Sequence, residues 1–199
     1  VLALLPLLLG LACGQSEMVQ SWTNPTPPGN GYGRILVIAL MASEGDRQIF
    51  ESEFVKRFEE FKLVAIPSYR ALGRDALTLD NVRALVKRDD FMTVFLVETV
   101  SIDQATTSWV TGSQSSRSIP AEDQRSLGSS YQNAHETMLD APNTSVTTIA
   151  TIQSSVYHVP TEDLLWRGTS RTYDPGPAAK IVPPLSHMIV RTIQRAHIY

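Results

Sequence analysis

The sequence predicts an α/β fold: a single domain with a mostly parallel or mixed sheet, flanking helices, a C-terminal β-hairpin and a final helix. Three observations predict it. The uninterrupted apolar run RILVIALM, Arg34–Met41, reads as a strand covered on both faces, as in a parallel sheet. Phenylalanines then recur at helical spacing. Nearer the C-terminus, two segments of β character meet at the turn residues Pro160-Thr161-Glu162-Asp163.

Before that domain the chain is of two kinds. Residues 1–12 are apolar and uncharged, broken only by Pro6 and Gly10. Carried through Cys13 as a helix they would span roughly 20 Å, short of the ~30 Å hydrocarbon core of a bilayer. A spanning helix is therefore not expected. The polar, proline-rich stretch that follows favours the apolar region of an export signal over a buried core helix. The chain opens without Met or a basic leader, so further residues are expected upstream of Val1. Residues 13–33, with Pro25, Pro27, Pro28 and Gly29 close together and Trp22 as the one large aromatic before Tyr32, cannot bury enough surface to offset their ordering entropy. They read as a flexible tether, which leaves residues 34–199 for one folded domain.

Within the domain, each element has its own signal. Ser43 and Asp46 have the spacing of a capping box, with Asp in place of the usual Glu or Gln, and open a helix. Phe50, Phe54, Phe58 and Phe61 form its core stripe; Glu51, Glu53, Lys56, Arg57, Glu59 and Glu60 mostly take the solvent side. Leu63–Ile66 is the next strand, and Pro67 marks an edge or an end because it cannot donate to a ladder. Thr78 caps a helix whose face is Leu79, Val82, Leu85 and Val86. Met92–Val97 is the strongest strand, running on through alternating Val100 and Ile102.

Residues 103–145 change character. Ser and Thr crowd the segment and apolar periodicity disappears, so it reads as a polar insertion. A short strand at Thr107–Thr111 and a helical turn at Gln132–Leu139 are expected inside it. Partner recognition is sought there first, because binding residues often sit on loops held by a scaffold. After it, Val146, Ala150, Ile152 and Val156 alternate with polar residues in one strand, and Leu164–Ser170 forms its hairpin partner. The last helix is expected to start near Pro183-Pro184, with Leu185, Met188, Ile189, Thr192, Ile193 and Ala196 toward the sheet.

Signatures of catalysis are missing from the sequence. No Gly-x-Ser-x-Gly elbow occurs. Gly29-Asn30-Gly31-Tyr32-Gly33 precedes the first strand of the domain, where a dinucleotide loop must follow one. His135, His158, His187 and His197 lack metal-ligand spacing; His187 and His197 stand about 80° apart around a helix. Neither catalytic, cofactor-binding nor metal-binding residues are therefore assigned. With 17 basic and 20 acidic residues and a net charge of -3, no basic patch interleaved with aromatics marks a nucleic-acid partner. Oligomeric state is not legible.

The only cysteine, Cys13, closes the apolar run LLLGLAC. Gly10, Leu11 and Ala12 before it resemble the lipobox of bacterial lipoproteins, where a peptidase cuts just ahead of a cysteine whose thiol has been acylated. An ordinary signal peptide that contains a cysteine, or a buried thiol in a core helix, stays open at this point. A lone thiol has no internal disulfide partner in an oxidising compartment, and acylation removes it. Several acyl chains at about 0.8 kcal/mol per buried methylene would hold a domain on a bilayer almost permanently. Gly14, where Asp would retain an enteric lipoprotein in the inner membrane, implies passage to the outer membrane by the same resemblance.

The hairpin strand Leu164-Leu165-Trp166-Arg167-Gly168, preceded by an exported α/β half and followed by a helix, resembles a large group of proteobacterial lipoproteins. Their domain is similar to the amino-terminal domain of TolB, and to CsgG and LpoB. The resemblance covers residues 34–199 and implies a periplasmic, membrane-tethered adaptor without catalysis that serves an envelope protein. It transfers one position only, lipidation at Cys13. Pore formation is not expected, because Arg167 and Arg171 sit on the strand beside the only long alternating one. A periplasmic module binding a small molecule or glycan, and an unrecognised hydrolase, remain as alternatives.

Overall fold

A computed structural model describes residues 15–27, 33–109 and 143–198. Six strands form one mixed sheet: β1 (Ser16–Thr23), β2 (Arg34–Leu40), β3 (Ala65–Pro67), β4 (Phe91–Trp109), β5 (Asn143–His158) and β6 (Leu164–Tyr173). Their order across the sheet is β1-β6-β5-β4-β2-β3. Four helices accompany them: α1 (Glu44–Glu60), α2 (Ser68–Ala71), α3 (Leu79–Arg88) and α4 (Ala178–Arg195). The α/β class, the hairpin and the final helix expected from sequence are all present.

β2 is parallel to both β3 and β4, while β6 is antiparallel to β5 and β1. Met92 accepts from Val159 N–H, and Glu98 from the Gln153 side chain, so β4 and β5 also run oppositely. One half of the sheet is thus a parallel crossover unit and the other an antiparallel meander. By contacts, the chain divides into unit 1, Val1–Asp103 with Thr148–Tyr199, and unit 2, Gln104–Thr147. Among its described residues, unit 2 consists of the outer ends of β4 and β5.

Two apolar layers sandwich the parallel half. On one face α1 and α4 bury Phe50, Phe54, Phe58, Val182, Leu185 and Ile189 against β2, β4, β5 and β6. Phe95 receives Phe54 at 4.7 Å and the edge of Phe58 at 5.2 Å, which confirms the phenylalanine stripe as core. On the other face Leu85 of α3 and Leu72 close over Leu36, Ile38 and Phe91. Both N-cap hydroxyls engage, Ser43 Oγ accepting from Asp46 N–H and Thr78 Oγ1 from Asn81 N–H. Gly33 enters β2 at φ 47°, and a Cβ there would meet Met92 Cγ at 2.6 Å, so glycine is required twice over.

Four expectations are corrected, the first being Leu79, which is expected on the core face of α3 and is 65% exposed at its first turn. The expected tether at 13–33 is, over Ser16–Thr23, an edge strand, because Ser16–Thr23 pairs with β6 along its length apart from a bulge at Val19. The ladder satisfies a backbone that its own side chains could not have ordered. The last helix begins at Ala178, and Pro183 and Pro184 lie inside it. Burial of Ile181 and Val182 ahead of them holds the helix together despite two missing amide donors. Glu51, assigned to the solvent face, is completely buried. Of the elements expected in 103–145, Thr107–Trp109 continue β4; Val110, Thr111 and the turn at Gln132–Leu139 lie outside the described residues.

Trp166 is fully buried, so it anchors the core and does not form a docking surface. Its ring lies over Gly168, where a Cβ would collide with Trp166 Cη2 and Cζ2 and with Met18 Cε at 2.7 Å. Gly168→Ala is expected to cost about 1–3 kcal/mol by overpacking. Since Met18 on β1 yields more easily than the indole, hydrogen exchange should speed up first in β1; unchanged β1 protection would contradict this packing.

Candidate functional site

Cys13 and His135 lie outside the described residues, as does most of the 103–145 segment. The other three histidines are dispersed. His158 is buried, with Nδ1 at 2.9 Å from Thr161 Oγ1; His187 and His197 are exposed on or just beyond α4. Among the described residues no group of His, Cys, Asp or Glu could hold a metal ion, and no helix is long and apolar enough to cross a membrane.

The structure brings together two constellations that the sequence did not announce. The first is a polar knot where β2 ends and α1 begins. Glu51 Oε1 accepts from Ala39 N–H at 3.1 Å, Arg47 Nε at 3.0 Å and Ser68 Oγ at 2.6 Å. Its Oε2 accepts from Tyr69 N–H at 2.9 Å. Arg47 also reaches Ser68 Oγ at 2.9 Å and Glu44 at 3.1 Å. With both oxygens accepting hydrogen bonds and Arg47 mostly buried, the carboxylate staples β2, α1 and α2 together. A signal did exist: Glu51 stands three residues before Phe54 and seven before Phe58, on their stripe, with Arg47 one turn earlier.

The second is an apolar groove of about 420 Å³ between α3 and the β4–β5 pair. Val82 and Val86 of α3 form one wall, and Val94, Leu96 and Tyr157 the sheet wall. Arg83 and Glu162 face each other at its rim, 3.9 Å apart and largely in water, so the pair adds little stability. These positions are scattered from Ile38 to Glu162, which is why no local motif marks them. Volume and lining suit an apolar guest and lack the converging polar groups of a catalytic cleft.

At the other side of the sheet, β1 begins with its main chain held. Tyr173 N–H donates to Gln15 C=O at 3.0 Å, and Ser16 Oγ lies 2.8 Å from Thr172 Oγ1. Tyr173 Oη donates to Glu17 Oε1 at 2.7 Å. That hydrogen bond, followed by desolvation, raises the phenol above its ordinary range, against a smaller opposing influence from Arg171. A folded pKa above the unfolded one means that the contribution is complete below the ordinary tyrosine range and is lost as pH rises through the raised value. Ultraviolet titration should therefore show one tyrosine ionising later than free tyrosine, with β1 amide protection falling over the same range. Glu17→Gln should bring that tyrosine down, and no change would dismiss the contact.

Neither a family model nor a curated protein matches this sequence. Among solved structures, the chain is similar to a PelC dodecamer subunit from Paraburkholderia phytofirmans, at 10% identity and a TM-score of 0.47, covering 90% of this chain and 98% of that one. It is also similar to the lipoprotein GNA1162 from Neisseria meningitidis, at 9% identity and a TM-score of 0.43, covering 82% of this chain and 99% of that one. At these identities and scores the likeness concerns the course of the chain alone.

Proposed function

We propose that this chain is a non-catalytic lipoprotein of the bacterial envelope, held on the periplasmic face of the outer membrane by acyl groups on Cys13, and that it serves an envelope protein as an adaptor or assembly component. The observation that carries the reading is the apolar run ending LLLGLAC, whose cysteine lies just before a chain that enters a folded sheet. Acylation gives the lone thiol a purpose, and Gly14 in place of Asp favours the outer membrane. The polar knot around Glu51 supports a structural body, since its charged groups are spent on one another.

Purification of the full-length protein from detergent-extracted membranes tests it. Mass spectrometry is expected to find Cys13 acylated, and affinity capture to recover an envelope protein in fixed stoichiometry. An unmodified Cys13, or repeated recovery of the protein alone after cross-linking, would refute the anchor or the adaptor role respectively.

The groove favours a second reading, a binding module for a small apolar molecule. Its lining fits such a guest better than a glycan. Ligand-dependent thermal shifts that Leu96→Asp abolishes, with no partner captured, would favour it over the adaptor.

A further inference from the structure

Arg167 is a half-buried cation that pairs with no carboxylate among the described residues. Its side chain leaves β6 and crosses the face of β5, where Nε donates to Ser155 Oγ at 3.3 Å and Nη2 to Tyr157 Oη at 3.2 Å. Both partners are neutral. Arg47 and Arg57 on α1 are sheltered to a similar degree, and each holds two carboxylates within 4.0 Å. A guanidinium withdrawn from water calls for such a counter-charge, and around Arg167 the chain supplies hydroxyls alone.

This cation adjoins the apolar groove. Tyr157 belongs to both, since it lines the sheet wall beside Val94 and Leu96 while its hydroxyl accepts from Arg167. Ser155, which accepts from Nε, is buried. Those two bonds use Nε and Nη2, so Nη1 keeps its N–H donors without a partner among the described residues. Tyr157 Oη, an acceptor toward Arg167, still has its own proton to give. Donors therefore gather where the apolar wall ends. All of these residues belong to unit 1.

We infer that the groove takes a single-chain anionic amphiphile, its aliphatic part lying between α3 and the β4–β5 pair and its carboxylate or phosphate resting on Arg167 and the Tyr157 hydroxyl. The inference rests on the second reading above, that the groove holds a small apolar molecule, and goes beyond it by naming the chemical class. The groove's volume of about 420 Å³ lies within the ~300–1,000 Å³ of small-molecule pockets. Charge selects the headgroup. A cationic head would be repelled by Arg167, and a neutral one would leave the guanidinium without a counter-charge. Carboxylate and phosphate oxygens instead take charge-assisted bonds from guanidinium N–H groups, the stronger kind of hydrogen bond. Arg83 at the rim already faces Glu162 at 3.9 Å, so that pair contributes no net charge to the choice.

The full-length protein in phosphatidylcholine nanodiscs tests this with photoreactive decanoic acid, decyl phosphate and decanol, each carrying a diazirine in its chain, at a pH where the acid is ionised. Mass spectrometry is expected to place the crosslinks on groove residues such as Val82, Val86 and Leu96. Arg167→Gln should cut labelling by the two anionic probes several-fold and leave decanol labelling unchanged, a comparison in which each probe's partition into lipid cancels. Tyr157→Phe, which keeps the ring and removes the hydroxyl, should act in the same direction. Stronger dependence on Arg167 for decyl phosphate would support a phosphate-headed lipid as the source, and for decanoic acid a free fatty acid. Anionic labelling undiminished in Arg167→Gln would overturn the headgroup site and leave the apolar groove standing. Should Arg167→Gln lose decanol as well, its fold is at fault and Tyr157→Phe decides, undiminished anionic labelling there again overturning the site. No labelling of the groove by any probe would overturn both readings.

Discussion

Glu51→Ala is expected to lower the unfolding free energy by about 3–5 kcal/mol, the usual cost of removing one partner from a buried ion pair. In a chain of this size that corresponds to a fall in Tm of roughly 10 °C. The cost has several sources. Arg47 would lose its buried counter-charge, Ala39 and Tyr69 would keep amide N–H groups with no acceptor, and Ser68 would lose its 2.6 Å bond. Glu51→Gln preserves the shape but brings an NH2 group toward donors, so its effect should fall between the two. Substituting Arg47→Met together with Glu51→Leu should recover part of the loss, because no stranded charge remains. Urea denaturation of the three variants checks this. A Glu51→Ala protein within about 1 kcal/mol of wild type would mean that the carboxylate is not the internal staple described.

Trp166→Ala should be as damaging, by about 3–5 kcal/mol. The indole is fully buried in the layer between the sheet and helices α1 and α4, and Gly168 has no side chain with which to refill the space. Trp166→Phe should cost much less than Trp166→Ala, for a specific reason. The indole Nε1 is buried without a hydrogen-bond partner among the described residues, so deleting that N–H removes an unsatisfied donor while much of the ring volume is retained. Thermal unfolding followed by near-ultraviolet circular dichroism would order the variants. Equal losses for Phe and Ala would show that the indole N–H has a partner after all.

Within residues 34–199, local signals carry global information at several points. Arg34–Leu40 had no polar position to expose, so a strand buried on both faces was the only economical solution. Ser43 and Thr78 announced helix starts through their own hydroxyls. Elsewhere distant contacts override the local signal. Ser16–Thr23 has no apolar alternation of its own; it is a strand because β6 offers it a complementary edge. Pro183 and Pro184 argued for a helix start, and long-range packing of Ile181 and Val182 overruled them. Charge alone puts Glu51 in solvent, and the donors that make its burial tolerable come from Ala39, Ser68 and Tyr69, which no periodicity connects to it.

Sequence by itself determined the class of fold, the places where α1 and α3 start, the hairpin near the C-terminus and the singular position of Cys13, because each depends on residues within a turn or a strand of one another. Tertiary structure alone decided that Ser16–Thr23 is a strand, that Glu51 is internal, and that Val82, Val86, Val94, Leu96 and Tyr157 line one groove. Those facts depend on which distant edges and donors meet, and pairing energies between remote segments leave no pattern in either segment read alone.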